Sequence, residues 1–152
     1  MTPLLGDVGG GLLHLATFNV RRPLPHFLSL PADSWDRRRQ AMMRMLAREA
    51  PAVLATQEVL PSPARDILQS LGTSYTRIGV GRGRGGRGEG CPIFFDTARL
   101  ELVATRQLAL SDTPELPGSR SWGNLVPRIM VVGVFRHRTT GARFAVINTH
   151  LD

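Results

Sequence analysis

Three short apolar runs end in chemistry-bearing residues, and that arrangement constrains the chain more than any other feature. LLHLATFNV (12–20) carries Asn19 near its end, AVLATQE (52–58) ends on Glu58, and RFAVINTH (143–150) ends on Asn148 and His150. Runs this short and this apolar read as buried strands. On the last of them the two-residue period sets Phe144, Val146, Asn148 and His150 on one face. A carboxylate, two amides and an imidazole therefore leave strands at their C-terminal tips, where rigid ends feed a cleft of loops. Oxygen donors of this kind suit a hard cation. Mg²⁺ or Mn²⁺ keeps several waters and is commonly held by one or two carboxylates plus substrate phosphate. Polar residues also close strands simply because strands end at the surface, so on pattern alone both readings stand.

Between these runs the chain alternates. After a loop with Pro23, Pro25 and Pro31, Asp33 or Ser34 can cap a helix that runs to about Ala50 and is halted by Pro51. Trp35, Met42 and Leu46 fall on one side of it, and Arg37, Arg44 and Arg48 form a solvated face opposite. Ser62 to Leu71 reads as a second helix ended by Gly72. Residues 76–80 and 92–95 read as strands flanking the loop GVGRGRGGRGEG, and residues 100–110 as a longer strand. A polar loop, SDTPELPGSRSWGN, precedes a hairpin of residues 129–136 and 143–149 turning at Thr140–Gly141. The class expected is α/β, with a mostly antiparallel later half. Residues 1–11, rich in Gly and without periodicity, read as a flexible leader to one domain over 12–152.

Composition narrows the function classes. The net charge is +7, and all 19 basic residues are Arg. A GC-rich coding sequence would produce that bias, yet Arg still offers a planar fork suited to phosphate. A single cysteine, Cys91, excludes a disulfide framework and any multi-thiolate metal site. It precedes a Pro with no evident base beside it and reads as buried filler, not a nucleophile. No apolar stretch approaches the ~20 residues that span a bilayer, and no secretory signal is visible, so a cytoplasmic address without a membrane span is expected. GVGRGRGG lacks the Lys-Ser/Thr ending of a phosphate-binding P-loop. His14, His26 and His137 show no ligand-like spacing and read as structural or surface groups.

The segments TFNVR (17–21), PAVLATQEV (51–59), IGVGRGRGGRGEGCPIFF (78–95), LALSDTPELPGSRSWGNLVPR (108–128) and FAVINTHLD (144–152) resemble, in order and spacing, the N-terminal part of the endonuclease/exonuclease/phosphatase superfamily of metal-dependent phosphodiesterases. The resemblance implies a four-layer α/β/β/α sandwich, here partial. It also implies a phosphoester substrate, nucleic acid among the options, and a Mg²⁺ or Mn²⁺ cofactor. Carried over residue by residue, Glu58 matches the metal-binding Glu, and Asn19 the amide beside the metal. His150 matches the His that hydrogen-bonds the scissile phosphate, and Arg128 an Arg that approaches it. Glu89 is placed to line the site, and Asn148 and Asp152 to support His150.

The same resemblance implies a domain of roughly 250 residues, still a one-domain size. An Asp-x-Asn strand tip and a late Asp-His pair that activate water should follow the NTHLD motif. Residues 1–152 contain neither, so a truncated domain is expected, with one sheet's inner face partly uncovered and a tendency to aggregate. Two alternatives remain at this point: a nucleic-acid-binding module acting through RGRGGRG (82–88), and an inactive fragment that binds a partner.

Overall fold

The computed structural model describes residues 2–9, 11–23 and 34–151. The first sheet takes strands β1 (Leu15–Asn19), β2 (Val53–Gln57), β3 (Tyr75–Ile78) and β4 (Ile93–Asp96) in the order β1-β2-β4-β3. The second is a meander of β5 (Leu100–Ala109), β6 (Ile129–His137) and β7 (Arg143–Thr149). β1 and β2 are parallel, joined by a crossover containing helix α1 (Trp35–Glu49), and every other pairing is antiparallel. Helix α2 (Pro61–Leu71) links β2 to β3. The result is an α/β sandwich with the expected antiparallel later half.

Each layer follows from its side chains. Along β6 every second residue from Ile129 to His137 is buried, as a strand with one packed face requires. Val131 and Phe135 meet Val53, Ile93 and Phe95 of the first sheet, and Phe135 sits between the tilted rings of Phe95 and Phe144 at centroid distances of 5.0 and 5.7 Å. A second cluster lies under the helices, where Met42 and Leu46 of α1 and Ile67 and Leu71 of α2 pack on Leu54 and Phe94. Fully burying a side chain such as Phe94 or Ile67 contributes about 1.5–3 kcal/mol. The Arg face of α1 is exposed, as its periodicity predicts. Ser34 occupies the N-cap of α1 without a side-chain cap bond, and Asp33 lies outside the described residues. The helix ends on Ala50 in the left-handed region, whose N–H reaches Leu46 O at 2.9 Å. α2 begins with Pro61 at its first turn, where a missing N–H costs nothing.

One expectation needs correction. β1 is a half-exposed edge strand, not a buried one, and Leu15 is 54% exposed. Among the described residues it pairs only with β2, so its apolar composition reflects packing on one face. The inner faces of the two sheets cover each other over β2, β4 and β6, whereas at β1 Leu15 and Thr17, on the face opposite the helix-packed Ala16 and Phe18, are exposed, so the inner face is partly uncovered at that edge. The outer face of β5-β6-β7 is uncovered as well, with Ile147 62% exposed, because both helices cover the first sheet. No helix among the described residues is long and apolar enough to cross a membrane.

Candidate active site

The parallel pairing sets the C-terminal tips of β1 and β2 side by side, with Asn19 opposite Gln57, so Asn19 and Glu58 leave the sheet together. Glu58 has φ 60° and Arg21 φ 51°. Neither is Gly, and a left-handed residue with a side chain costs about 1–2 kcal/mol, so the surroundings hold both turns in place. Those surroundings are visible. Asn19 Nδ2 donates to Glu58 Oε1 at 2.9 Å, the Arg22 N–H donates to Glu58 Oε2 at 3.0 Å, and the Arg21 N–H donates to Asn19 Oδ1 at 2.8 Å.

His150 arrives from the other sheet. β7 ends at Thr149, and the next residue carries its Nε2 to 3.9 Å from Glu58 Oε1. Burial acts to raise the Glu58 pKa, but the Asn19 and Arg22 hydrogen bonds and the nearby His150 and Arg22 outweigh it, leaving the carboxyl below its ordinary value. Arg128, just before β6, donates from Nη1 to His150 O at 3.4 Å.

Glu89 comes from the Gly/Arg loop. Its carboxylate pairs with Arg82 and lies 3.8 Å from Arg22 Nη1. The loop is drawn together at its neck: Val59 exchanges backbone hydrogen bonds with Gly90, and Gly81 N donates to Gly86 O at 3.0 Å. A Cβ at Gly81 or Gly90 would collide with backbone atoms across that neck, so the close approach requires glycine at both. Arg82, Glu89, Cys91, Arg128 and His150 thereby line one small crevice. Burial pushes the Cys91 thiol up to about 11, in keeping with filler.

Asn148 is only 4% exposed and turns inward between the sheets. Its Nδ2 donates to Thr56 O, Cys91 O and Pro92 O at 2.8, 3.0 and 3.3 Å. Its Oδ1 accepts from Gln57 Nε2 at 2.7 Å. Asp152 and His26 lie outside the described residues. His14 and His137 are buried and bonded to nearby backbone, His14 at Gly6 O and His137 at the Thr140 N–H. The structure thus brings Asn19, Glu58 and His150 together, with Arg128 and Glu89 beside them. Sequence reasoning missed Arg22, Arg82 and Gln57. Arg82 sits seven residues before Glu89 across a Gly-rich turn, a spacing that could have suggested the pair, whereas no local pattern marks Gln57.

A divalent cation is tested against the donors present. Among the described residues no three His, Cys, Asp or Glu side chains form a metal-holding group. One carboxylate with an amide beside it is instead the set that suits a hard ion retaining most of its waters. The Glu58–Asn19 pair fits such an ion; a closed protein cage it is not.

The family model described as the Endonuclease/Exonuclease/phosphatase family matches residues 16–143. A mannosyl-6-phosphatase from Bacteroides thetaiotaomicron superposes with a TM-score of 0.85 at 32% identity, over 93% of this chain and 52% of its own. An endonuclease/exonuclease/phosphatase family protein from the same organism gives 0.84 at 32% identity over 92% of this chain and 49% of its own. A Bacteroides vulgatus endonuclease/exonuclease/phosphatase gives 0.84 at 28% identity, covering 92% and 52%. The chain spans about half the length of these structures. No curated protein matches it.

Proposed function

Because the chain belongs to the endonuclease/exonuclease/phosphatase family, we propose that it carries the metal- and phosphate-binding portion of a divalent-metal-dependent phosphoester hydrolase. The observation that carries this reading is the meeting of Asn19, Glu58 and His150 from two sheets, with Nε2 of His150 3.9 Å from Glu58 Oε1.

Glu58 and Asn19 would hold Mg²⁺ or Mn²⁺, which when bound neutralises charge on phosphate and leaving-group oxygens. The low pKa of Glu58 keeps it ionised and ready to bind a cation throughout the neutral range. His150 and Arg128 donate hydrogen bonds to the non-bridging oxygens, strongest as negative charge builds there. Glu89 holds Arg82 at the crevice wall and keeps that guanidinium from drifting into solvent. Asp152 would stand next to this group in the chain. Water activation is assigned to none of these residues.

A polyanionic substrate, nucleic acid included, is a second reading, favoured by Arg84 and Arg87, which are exposed on the tip of the loop that carries Glu89. The similarity to a mannosyl-6-phosphatase favours a small phosphomonoester. Calorimetric titration with Mn²⁺ tests the shared core of both. Wild-type protein is expected to bind one ion, and Glu58→Gln to weaken binding at least roughly tenfold, or about 1.4 kcal/mol. Equal affinity in the two proteins would overturn the assignment.

A further inference from the structure

The hydrogen bonds behind the site connect all three strands that carry it. Thr17 lies two residues before Asn19 on β1, Gln57 one before Glu58 on β2, and Asn148 two before His150 on β7. Gln57 Nε2 donates to both neighbours, to Thr17 Oγ1 at 3.2 Å and to Asn148 Oδ1 at 2.7 Å. The orientation of Asn148 is not arbitrary. Three backbone carbonyls face its Nδ2, so the amide can only be placed with its oxygen towards Gln57, and Gln57 must then donate. Two of those carbonyls, Cys91 and Pro92, belong to the segment leaving Glu89.

We infer that the Gln57–Asn148 pair is a positioning device that sets the separation between the metal-holding tip of the first sheet and the phosphate-binding tip of the second. Apolar contacts between sheet faces are non-directional and tolerate sliding, whereas a hydrogen-bonded amide pair has one register. The pair sits at the end of the sandwich where such sliding would move His150 relative to Glu58. Thr17 extends the tie to β1, so Asn19 moves with Glu58 and not independently. A buried amide is costly unless its polar atoms are partnered, and those of Asn148 are, at Nδ2 by the carbonyls and at Oδ1 by Gln57. Removing Gln57 leaves Asn148 Oδ1 without its donor and frees the tip of β7. Positioning groups behind metal ligands typically change affinity 10–100-fold when removed.

This inference rests on Glu58 being a metal ligand, and its test separates the two claims. Mn²⁺ is titrated into the full chain while its affinity and the paramagnetic broadening of the His150 ring resonances are read. Broadening falls steeply with distance, so it reports the Mn²⁺ to His150 separation. Wild-type protein should show binding with strong broadening, both lost in Glu58→Gln; their persistence in that variant would overturn the metal assignment itself. Gln57→Met, of similar length but without donors, should weaken Mn²⁺ about tenfold and reduce the broadening at saturation. Wild-type affinity and broadening in Gln57→Met, with only a lower thermal midpoint, would overturn the positioning role. Should Gln57→Met fail to fold, Gln57→Glu, which sets an oxygen against Asn148 Oδ1 in place of the Nε2 donor, should likewise reduce the broadening at saturation, and wild-type broadening there would overturn the positioning role.

Discussion

Nε2 of His150 lies 3.9 Å from Oε1 of Glu58, although the two residues belong to different sheets and are 92 positions apart. The distance permits a direct charge interaction when the imidazole is protonated, and it puts the imidazole within reach of a phosphate bound beside the Glu58 carboxylate. His150→Ala should therefore raise the dissociation constant of inorganic phosphate, measured with Mn²⁺ present, roughly tenfold, as losing one charge-assisted hydrogen bond implies. Mn²⁺ affinity itself should change little. A variant that loses Mn²⁺ as completely as Glu58→Gln would show that His150 holds the cation instead.

A second carboxylate controls the beginning of the chain. Glu49, at the end of α1, accepts from the backbone N–H groups of Leu4, Leu5 and Gly6 at 2.6, 3.1 and 3.2 Å. These bonds hold its pKa below the ordinary value. A depressed carboxyl pKa stabilises the bonded state at pH above the unfolded value, and that stabilisation is lost as pH falls through the folded value. Amide protection at Leu4–Gly6, the slowing of exchange relative to a free peptide at the same pH, should accordingly be high at neutral pH and fall only in acid below the usual glutamate range. Glu49→Gln should show lowered protection already at neutral pH.

Gly133 tests the sheet packing. A Cβ there would lie 2.6 Å from Phe135 Cε2 and 2.7 Å from Ile78 Cδ1, in the middle of the inter-sheet core. Gly133→Ala must push apart the two sheets or displace the Phe135 ring. It should destabilise by about 1–3 kcal/mol in urea unfolding. An unchanged midpoint would mean that the Phe135 ring moves aside freely.

The thiol of Cys91 serves as a reporter. Burial raises its pKa to about 11, so the thiolate fraction at neutral pH is minute and the sulfur is covered. An aromatic disulfide reagent at pH 8 should label it only as fast as the protein opens, and addition of urea should bring labelling to the rate of a free thiol. Rapid labelling of native protein would place Cys91 in an accessible crevice.

Self-association is expected through the outer face of the second sheet, where Ile147 is 62% exposed. Sedimentation velocity should show oligomers growing with concentration across the micromolar range, where exposed sheet surface commonly associates. Ile147→Lys should shift the distribution towards monomer. A wild-type chain that stays monomeric throughout would show that this face is inert.

What was legible in the sequence, and what was not, divides by range. Strand and helix positions follow from local periodicity, so the tips carrying Asn19, Glu58 and His150 could be found from their own runs. Solvation of the Arg face on α1 was equally local. The burial of β1 was misread because LATFN has the same composition whether one or both of its edges are paired. The sequence offers Asn148 only as a support for His150 and leaves Gln57 unmarked. Their pairing joins residues 91 positions apart, and no window on the sequence contains both. The left-handed backbone of Glu58 has no sequence signature either, since glutamate rarely adopts it and nothing around it announces the need.

The closed neck at Gly81 and Gly90 divides the Gly/Arg loop into two parts with different freedoms. Glu89 and Arg82 stand at the base, tied to the sheet through Val59, whereas Arg84 and Arg87 at the tip are exposed. Mutational drift at the tip can accordingly alter its charge or reach without disturbing the carboxylate at the base. In such a layout substrate preference can diversify among descendants while the chemistry beneath it is inherited unchanged.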